Sequence, residues 1–394
     1  MTSVNRDSEN AIRFAYWVPN VSGGLVISKI EQRTSWDIDY NIKLARLAEK
    51  NGFDYALSQI RFTAGYGAEF QHEPVAFSHA LLAATEKLHV IAALLPGPWN
   101  PTLAAKQLAT IDLLTGGGRL AINVVSGWFK GEFHALGEPW LEHDERYRRS
   151  EEFIRVLKAS WTQDEAEFSG DFYNLHGYTL KPKPLQKPHP QIFQGGNSTA
   201  ARQMAGRVSD WYFMNGNSFE GVRSQIEEVS TYARAAGREP GSDIRFGLNA
   251  FIVARDSESE ARAVVEEIIA KADREAVKGF GAAVKQAGQS SSDGRGMWQD
   301  SEFKDLVQYN DGFRSGLIGT PEQIARRIAA YRKLGVGLIL SGFLHFQEEV
   351  DYFGQKVLPI VRELEAELGL ESQPLFSANG TRLGGEIPEP TLST

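Results

Sequence analysis

Short β-prone runs and longer amphipathic segments alternate along this chain eight times, and no other feature narrows its possible folds so far. The predicted strands are Ile12–Trp17, Asp54–Ser58, Leu88–Leu94, Leu120–Val125, Gln191–Gln194, Trp211–Met214, Ile244–Ala254 and Leu338–Ser341. The predicted helices are Asp37–Asn51, Pro74–Thr85, Leu103–Leu114, Arg146–Trp161, segments beginning at Ala200, Phe219 and Ser257, and Glu348–Leu368. Thr320-Pro321-Glu322-Gln323 opens one more helix, with Thr320 as its cap and Pro321 at its first position. Parallel strands need a crossover between them, and eight such units in series indicate an α/β fold of the (β/α)8 TIM barrel type with inserted loops.

Two segments interrupt the alternation. Glu167–Tyr173 and Tyr178–Lys181 predict a hairpin that turns at Asn174–Gly177. Between Asp273 and Arg314 no strand pattern exists, and the Gly- and Ser-rich stretch Gln289–Gly296 is expected to be mobile. The expected organisation is one barrel domain over 1–368 with a mobile insertion at about 271–317. The tail, 369–394, is too poor in apolar residues for a core of its own and is expected to be extended.

The formal net charge of −8, with no Lys/Arg run longer than two, argues against nucleic acid or an anionic membrane as a partner. There is no cysteine, so disulfides, thiolate nucleophiles and cysteine-ligated zinc are ruled out. The opening residues, Met1 to Phe14, lack the basic and apolar regions of a signal peptide, and no apolar stretch approaches the roughly 20 residues that span a bilayer. A cytoplasmic protein is expected.

Ligands of such barrels bind on the loops that follow the strands. Phe193-Gln194-Gly195-Gly196-Asn197-Ser198 joins the fifth barrel strand to a helix. Its glycines allow close backbone approach, the helix start offers unpaired amides and Ser198 adds a hydroxyl, which together make a phosphate seat. An ordinary turn into a helix accounts for those residues equally well. Asn123, Ser126, Gly127 and Trp128 end the fourth strand, followed by Glu132, Arg146 and Tyr147. That mixture of amide, hydroxyl and aromatic groups suits a planar heteroaromatic ligand, although Arg146 alone reads as helix-start packing. The eight histidines show neither His-x-His on a strand nor His-Glu-x-x-His on a helix, and no metal site is expected.

These segments resemble the bacterial-luciferase-like flavin monooxygenases over roughly residues 12–367. The resemblance rests on FAYWVPNVSGG (14–24), ALSQIRF (56–62), NVVSGWFKGEF (123–133), HDERYRRSEEF (143–153), FQGGNS (193–198) and LIGTPEQIARRI (317–328). It implies FMN as cofactor, held by Ile60, Arg61, Asn123, Glu132, Arg146, Tyr147, Gly196 and Ser198, and used as FMNH2. No G-x-G-x-x-G follows a strand, so the reduced flavin is expected from a separate NAD(P)H:FMN reductase. A homo-oligomer, dimer or tetramer, is also implied, with the tail reaching toward a neighbouring subunit.

Within the family the motifs are most similar to those of the dimethyl sulfone monooxygenases. That likeness implies oxidation of dimethyl sulfone with O2 to methanesulfinate and formaldehyde in sulfur assimilation. Where alkanesulfonate monooxygenases carry Arg and His on the seventh strand, this chain has Asn249 and Phe251, and Phe343 replaces an aromatic hydroxyl after the eighth. An anion buried there without a cation would cost roughly several kcal/mol, so the substrate is expected to be a small neutral organosulfur compound unless Arg61 or Arg314 supplies the charge. Phe251 also reads as plain barrel packing. Asn123 and His345 are the catalytic candidates, His345 as a hydrogen-bond or proton donor or else as packing. The other readings are the same chemistry on a sulfoxide, an alkanesulfonate or a nitrogen heterocycle, a deazaflavin-dependent dehydrogenase, and a non-catalytic flavin-binding protein.

Overall fold

The computed structural model describes residues 10–289, 291–296 and 298–370, so the expected tail lies outside the described residues from position 371 onward. Eight parallel strands close a barrel, as the alternation predicts. In chain order they are β1 (Arg13–Val18), β2 (Tyr55–Ser58), β3 (His89–Leu94), β4 (Leu120–Val124), β7 (Gln191–Gly195), β8 (Trp211–Met214), β9 (Arg245–Phe251) and β12 (Val336–Gly342). An antiparallel hairpin is formed by β5 (Ala166–Ser169) and β6 (Asn174–Tyr178), and a short parallel pair by β10 (Val253–Ala254) and β11 (Ile318–Gly319).

The first helices are α1 (Ile38–Lys50), α2 (Pro74–Ala84), α3 (Pro101–Leu114), α4 (Lys130–Ala135), α5 (His143–Thr162), α6 (Thr199–Val208) and α7 (Phe219–Ala235). They are followed by α8 (Glu258–Ala270), α9 (Arg274–Gln289), α10 (Phe303–Leu306), α11 (Pro321–Lys333), α12 (Phe346–Tyr352) and α13 (Leu358–Glu367). α9 and α10 lie in the long insertion. The sequence signal at 320–323 is realised in full: Thr320 Oγ1 accepts from the Gln323 amide at 3.3 Å, while Gln323 Oε1 accepts from the Thr320 amide at 2.9 Å.

Successive strand residues point to opposite faces, and this alternation sorts the core into two layers. Ala15, Leu57, Ile91, Ala121, Phe193, Trp211, Phe213, Leu338 and Leu340 fill the barrel interior. Phe14, Tyr16 and Val18 belong to the outer layer between strands and helices. Phe193 stacks on Trp211 at 5.4 Å and on Phe213 at 5.2 Å, so the lower barrel is a plug of rings. Burying each ring contributes roughly 2–3 kcal/mol. Gly247 makes room for this plug, because a Cβ there would lie 2.6 Å from the Phe213 ring.

Two expectations need correction. The hairpin turns at 170–173, and Asn174–Tyr178 is strand rather than turn. The Glu152 carboxylate on α5 accepts from the amides of Asp171, Phe172 and Tyr173 at 2.9, 2.8 and 3.2 Å and so fixes the turn from outside. The single long helix expected over 348–368 is instead α12, a π turn over Phe353–Val357, and α13. Pro359 has no amide hydrogen to give to the preceding turn, and the wider π turn absorbs that gap.

Candidate functional site

The ends of the strands and the insertion enclose a cavity with about 1400 Å³ of unfilled space, part of it open to solvent. Trp17, Leu57, Ala93, Asn123, Gly195, Phe213, Asn249 and Leu340 form its floor, each from the inward-facing register of its strand. Ile60 and Arg61 enter from the loop after β2, Trp128 from the loop after β4, and Arg146 and Tyr147 from the first turn of α5. The loop after β4 is tied to α5 by the Ser126 and Ser150 hydroxyls, 2.9 Å apart. Ser150 also donates to the Arg146 carbonyl at 2.9 Å. Those two bonds hold the Asn123 side of the rim in register with the Arg146 side.

Gly196 and Ser198 sit where β7 meets α6. Gly196 has φ +135°, and a Cβ there would lie 2.5 Å from the Tyr147 hydroxyl and 2.6 Å from the Ala201 Cβ. Tyr212 donates to the Gly196 carbonyl at 2.6 Å and fixes the peptide. Ser198 is buried and caps α6 by accepting from the Ala201 amide at 3.2 Å, and its hydroxyl lies close enough to Tyr147 to favour the ionised phenol. The Asp293 carboxylate, from the insertion, accepts from the Thr199 amide at 2.8 Å. This helix start therefore already holds an anionic oxygen, and a phosphate must displace Asp293 or use the donors it leaves.

Arg146 is the next polar group around the rim. It is 2% exposed, its guanidinium lies 4.0 Å from the Trp140 ring centroid, and Nη1 donates to the Leu141 carbonyl at 2.8 Å. Its Nε is enclosed without a partner. Burial brings this guanidinium down to about 10, and burial raises Tyr147 to about 12. Asn123 Oδ1 is also enclosed and unpartnered. A cradle free of Cβ, a helix start that takes an anionic oxygen, and orphaned donor and acceptor atoms around one cavity fit the phosphate and the polar ring edge of a flavin mononucleotide.

Five expected site residues do not line the cavity, and the first of them, Ser198, sits just beyond its edge at the junction of β7 and α6. Glu132 lies behind it, where its carboxylate accepts from the Phe62 amide at 2.6 Å and anchors the loop that carries Arg61. Phe251 is covered by the returning end of the insertion and packs edge-on against Phe313 at 5.1 Å. Phe343 follows a strand whose inward residues are Leu338 and Leu340, so alternation turns it outward into a cluster with Phe53, Phe346 and Phe353. His345 sits at the start of α12, where Nδ1 accepts from the Arg33 amide at 3.1 Å and burial lowers its pKa. Glu349 accepts from the Leu344 and His345 amides and pins this loop away from the cavity. Asn249 does reach the cavity, but its Oδ1 accepts from the Trp17 indole at 3.1 Å and its Nδ2 donates to the Met214 carbonyl at 3.0 Å. It holds Trp17 in place.

Sequence reasoning missed the aromatic wall that the insertion contributes: Phe280, Trp298 and Tyr309. Trp128 meets Phe280 edge-on at 5.5 Å and Trp298 at 6.2 Å. Large rings inside a Gly- and Ser-rich insertion were the available signal, because a solvated loop has no use for them.

Asp311 fastens this wall to the barrel. Its carboxylate accepts from Ser301 Oγ at 2.7 Å and from Asn215 Nδ2 at 3.1 Å, and Asn215 lines the cavity. Burial raises its pKa from 3.8 to about 6, opposed by those two hydrogen bonds and by Arg314. The folded protein thus takes up this proton more readily than the unfolded chain does. The resulting stabilisation is complete below about pH 4 and is lost as pH rises through 6. Asp311→Asn is expected to flatten the change in stability between pH 4 and 6 and to add roughly 2 kcal/mol at pH 7.5. Urea unfolding at those pH values measures this, and an unchanged pH slope rejects it.

Among the described residues no group of three or more His, Asp or Glu side chains could hold a metal ion, and no helix is long and apolar enough to cross a membrane. A family model described as luciferase-like monooxygenase matches residues 12–337. The chain belongs to the luciferase-like monooxygenase family. Two relatives are the FMNH2-dependent dimethylsulfone monooxygenases of Pseudomonas putida, 71% identical over 90% of this chain and 97% of the relative, and of Pseudomonas fluorescens strain Pf0-1, 67% identical over 91% and 97%. The crystal structure of a long-chain alkane monooxygenase superposes with a TM-score of 0.76 at 18% identity, covering 90% of this chain and 91% of that one. At that identity the match shows the shared barrel alone. The luciferase-like assignment agrees with the fold expected from the alternating pattern.

Proposed function

We propose that this protein is an FMNH2-dependent monooxygenase that converts dimethyl sulfone and O2 to methanesulfinate and formaldehyde. The observation that carries this reading is the 71% and 67% identity, over nine-tenths of the chain, to two relatives named FMNH2-dependent dimethylsulfone monooxygenases. The cavity and its edge support it: Tyr147, Gly196 and Arg146 from the lining and Ser198 from just beyond it would hold the flavin phosphate, and Asn123 and Ile60 would face the ring system. When bound, FMNH2 supplies the two electrons that reduce one oxygen atom of O2 to water while the other enters the substrate.

The chain's own residues bind, orient and exclude water. Trp17, held by Asn249, walls the floor, and Trp128, Phe280, Trp298 and Tyr309 keep bulk water from the mouth. Reduced flavin would come from a separate NAD(P)H:FMN reductase, which makes the protein the oxygenase half of a two-component system in sulfur assimilation. A homo-oligomer in the cytoplasm is the expected working form.

The test couples the protein to such a reductase under air with dimethyl sulfone and measures formaldehyde and methanesulfinate. One equivalent of each per sulfone consumed is the expected result. Formaldehyde no greater than in the control lacking sulfone would remove the assignment.

A further inference from the structure

Arg61, which the family resemblance sets beside the flavin, is the charged group in the cavity to which the proposed phosphate and ring contacts give no role. Its guanidinium carbon lies 4.7 Å above the Trp128 ring centroid, and its Nη1 is enclosed with no hydrogen-bond partner. Among the described residues it forms no ion pair. Glu132, the nearby carboxylate, is already engaged by the Phe62 amide. Arg314 offers no substitute, because it lines a separate shallow groove with Asp300, Glu302, Lys304 and Asp305. A half-buried guanidinium that faces a cavity with Nη1 enclosed is costly to keep unless a ligand supplies acceptor oxygens, and the contact with Trp128 offsets only part of that cost.

The chemistry of that missing acceptor is constrained on both sides. The phosphate seat has its own cation, Arg146, which packs on Trp140 rather than on Trp128. The walls near Arg61 are aromatic: Trp128, Tyr309 and Phe280. A ligand that fits must offer paired oxygens to a planar fork and a small apolar remainder to rings. We infer that Arg61 holds the two sulfur-bound oxygens of the substrate and binds the alkanesulfinate anion released from it, so that the cavity carries an anion site for product as well as a site for a neutral sulfone.

This inference rests on the dimethyl sulfone reading and deepens it. Insertion of one oxygen atom into a methyl C–H bond gives a hydroxymethyl sulfone. Its C–S bond then breaks, the electron pair stays on sulfur, and the hydroxyl loses its proton as the carbon becomes formaldehyde. Negative charge therefore grows on the sulfinyl oxygens during cleavage. A guanidinium on those oxygens is stronger in that step than against the neutral sulfone, which assists the departure of the sulfinate. The neutral substrate expected from Asn249 and Phe251 is kept, and Arg61, in the loop after β2, is the cation which that expectation set apart.

The test uses the full-length protein loaded with oxidised FMN and titrates sodium methanesulfinate by calorimetry into the wild type, Arg61→Lys and Arg61→Met. Binding to the wild type is expected, weakened at least tenfold in Arg61→Met and by less in Arg61→Lys, with any fall in FMN affinity several-fold smaller than the fall for methanesulfinate. The thermal midpoint of ligand-free Arg61→Met should rise, because a half-buried guanidinium with an unpartnered Nη1 is gone, while its upward shift with methanesulfinate should vanish. Equal methanesulfinate affinity in wild type and Arg61→Met overturns the inference. So does a loss of FMN affinity matching the loss for sulfinate, or a fall in the ligand-free midpoint, which marks a structural role. A wild type that binds methanesulfinate through Arg61 yet yields no formaldehyde from dimethyl sulfone keeps the anion site and rejects the proposed substrate.

Discussion

Gly196→Val is expected to abolish flavin binding and to destabilise the protein by roughly 3 kcal/mol. The backbone at φ +135° is one that a β-branched residue adopts only under strain, at a cost of about 1–3 kcal/mol. The added Cβ would also lie 2.5 Å from the Tyr147 hydroxyl and 2.6 Å from Ala201, and overpacking of this kind costs about 1–3 kcal/mol more. Neither neighbour can yield freely, since Tyr147 is half-buried and packed against the core from the first turns of α5 and Ala201 is inside α6. Movement of Tyr147 would carry away the hydroxyl that meets Ser198, so the phosphate seat should fail before the barrel does. FMN titration by fluorescence quenching and urea unfolding read the two effects separately. Wild-type affinity in a folded Gly196→Val protein would place the phosphate elsewhere.

Arg146→Met is the second large effect, and its sign differs between ligand-free and loaded protein. In the ligand-free protein this guanidinium is buried with Nε unpartnered, so a methionine of similar reach should leave stability unchanged or slightly raised. With FMN the same change removes a charge-assisted contact to phosphate, and affinity should fall about 100-fold, close to 3 kcal/mol. Stability by thermal melt and affinity by titration must therefore move independently. A parallel loss of both would make Arg146 a packing residue held by Trp140 and Leu141.

Much of the fold was legible because its signals are local. The β8 boundaries, Trp211 and Met214, were readable from an apolar run bounded by Asp210 and by Asn215-Gly216. The Thr320 cap was readable from four residues. The hairpin was not, because the group that fixes its turn is Glu152, about 20 positions earlier on a different element. Motif likeness brought Ile60, Arg61, Asn123, Arg146, Tyr147, Gly196 and Asn249 to one cavity, and Ser198 to its edge. Likeness failed for Phe343 and His345, whose orientation depends on the parity with which β12 ends and on a glutamate on α12.

By itself the sequence determined the order of strands and helices and the rim on which a ligand could bind, because hydrophobic periodicity and helix caps act over a few residues. Only the tertiary structure decided which polar groups end with partners and which do not. Trp17 and Asn249 meet across 232 positions, and Thr199 and Asp293 across 94. The guanidinium of Arg61, with its Nη1 enclosed and unpartnered, is the product of such distant packing, since whether a charge has a partner is settled by every chain segment that comes near it.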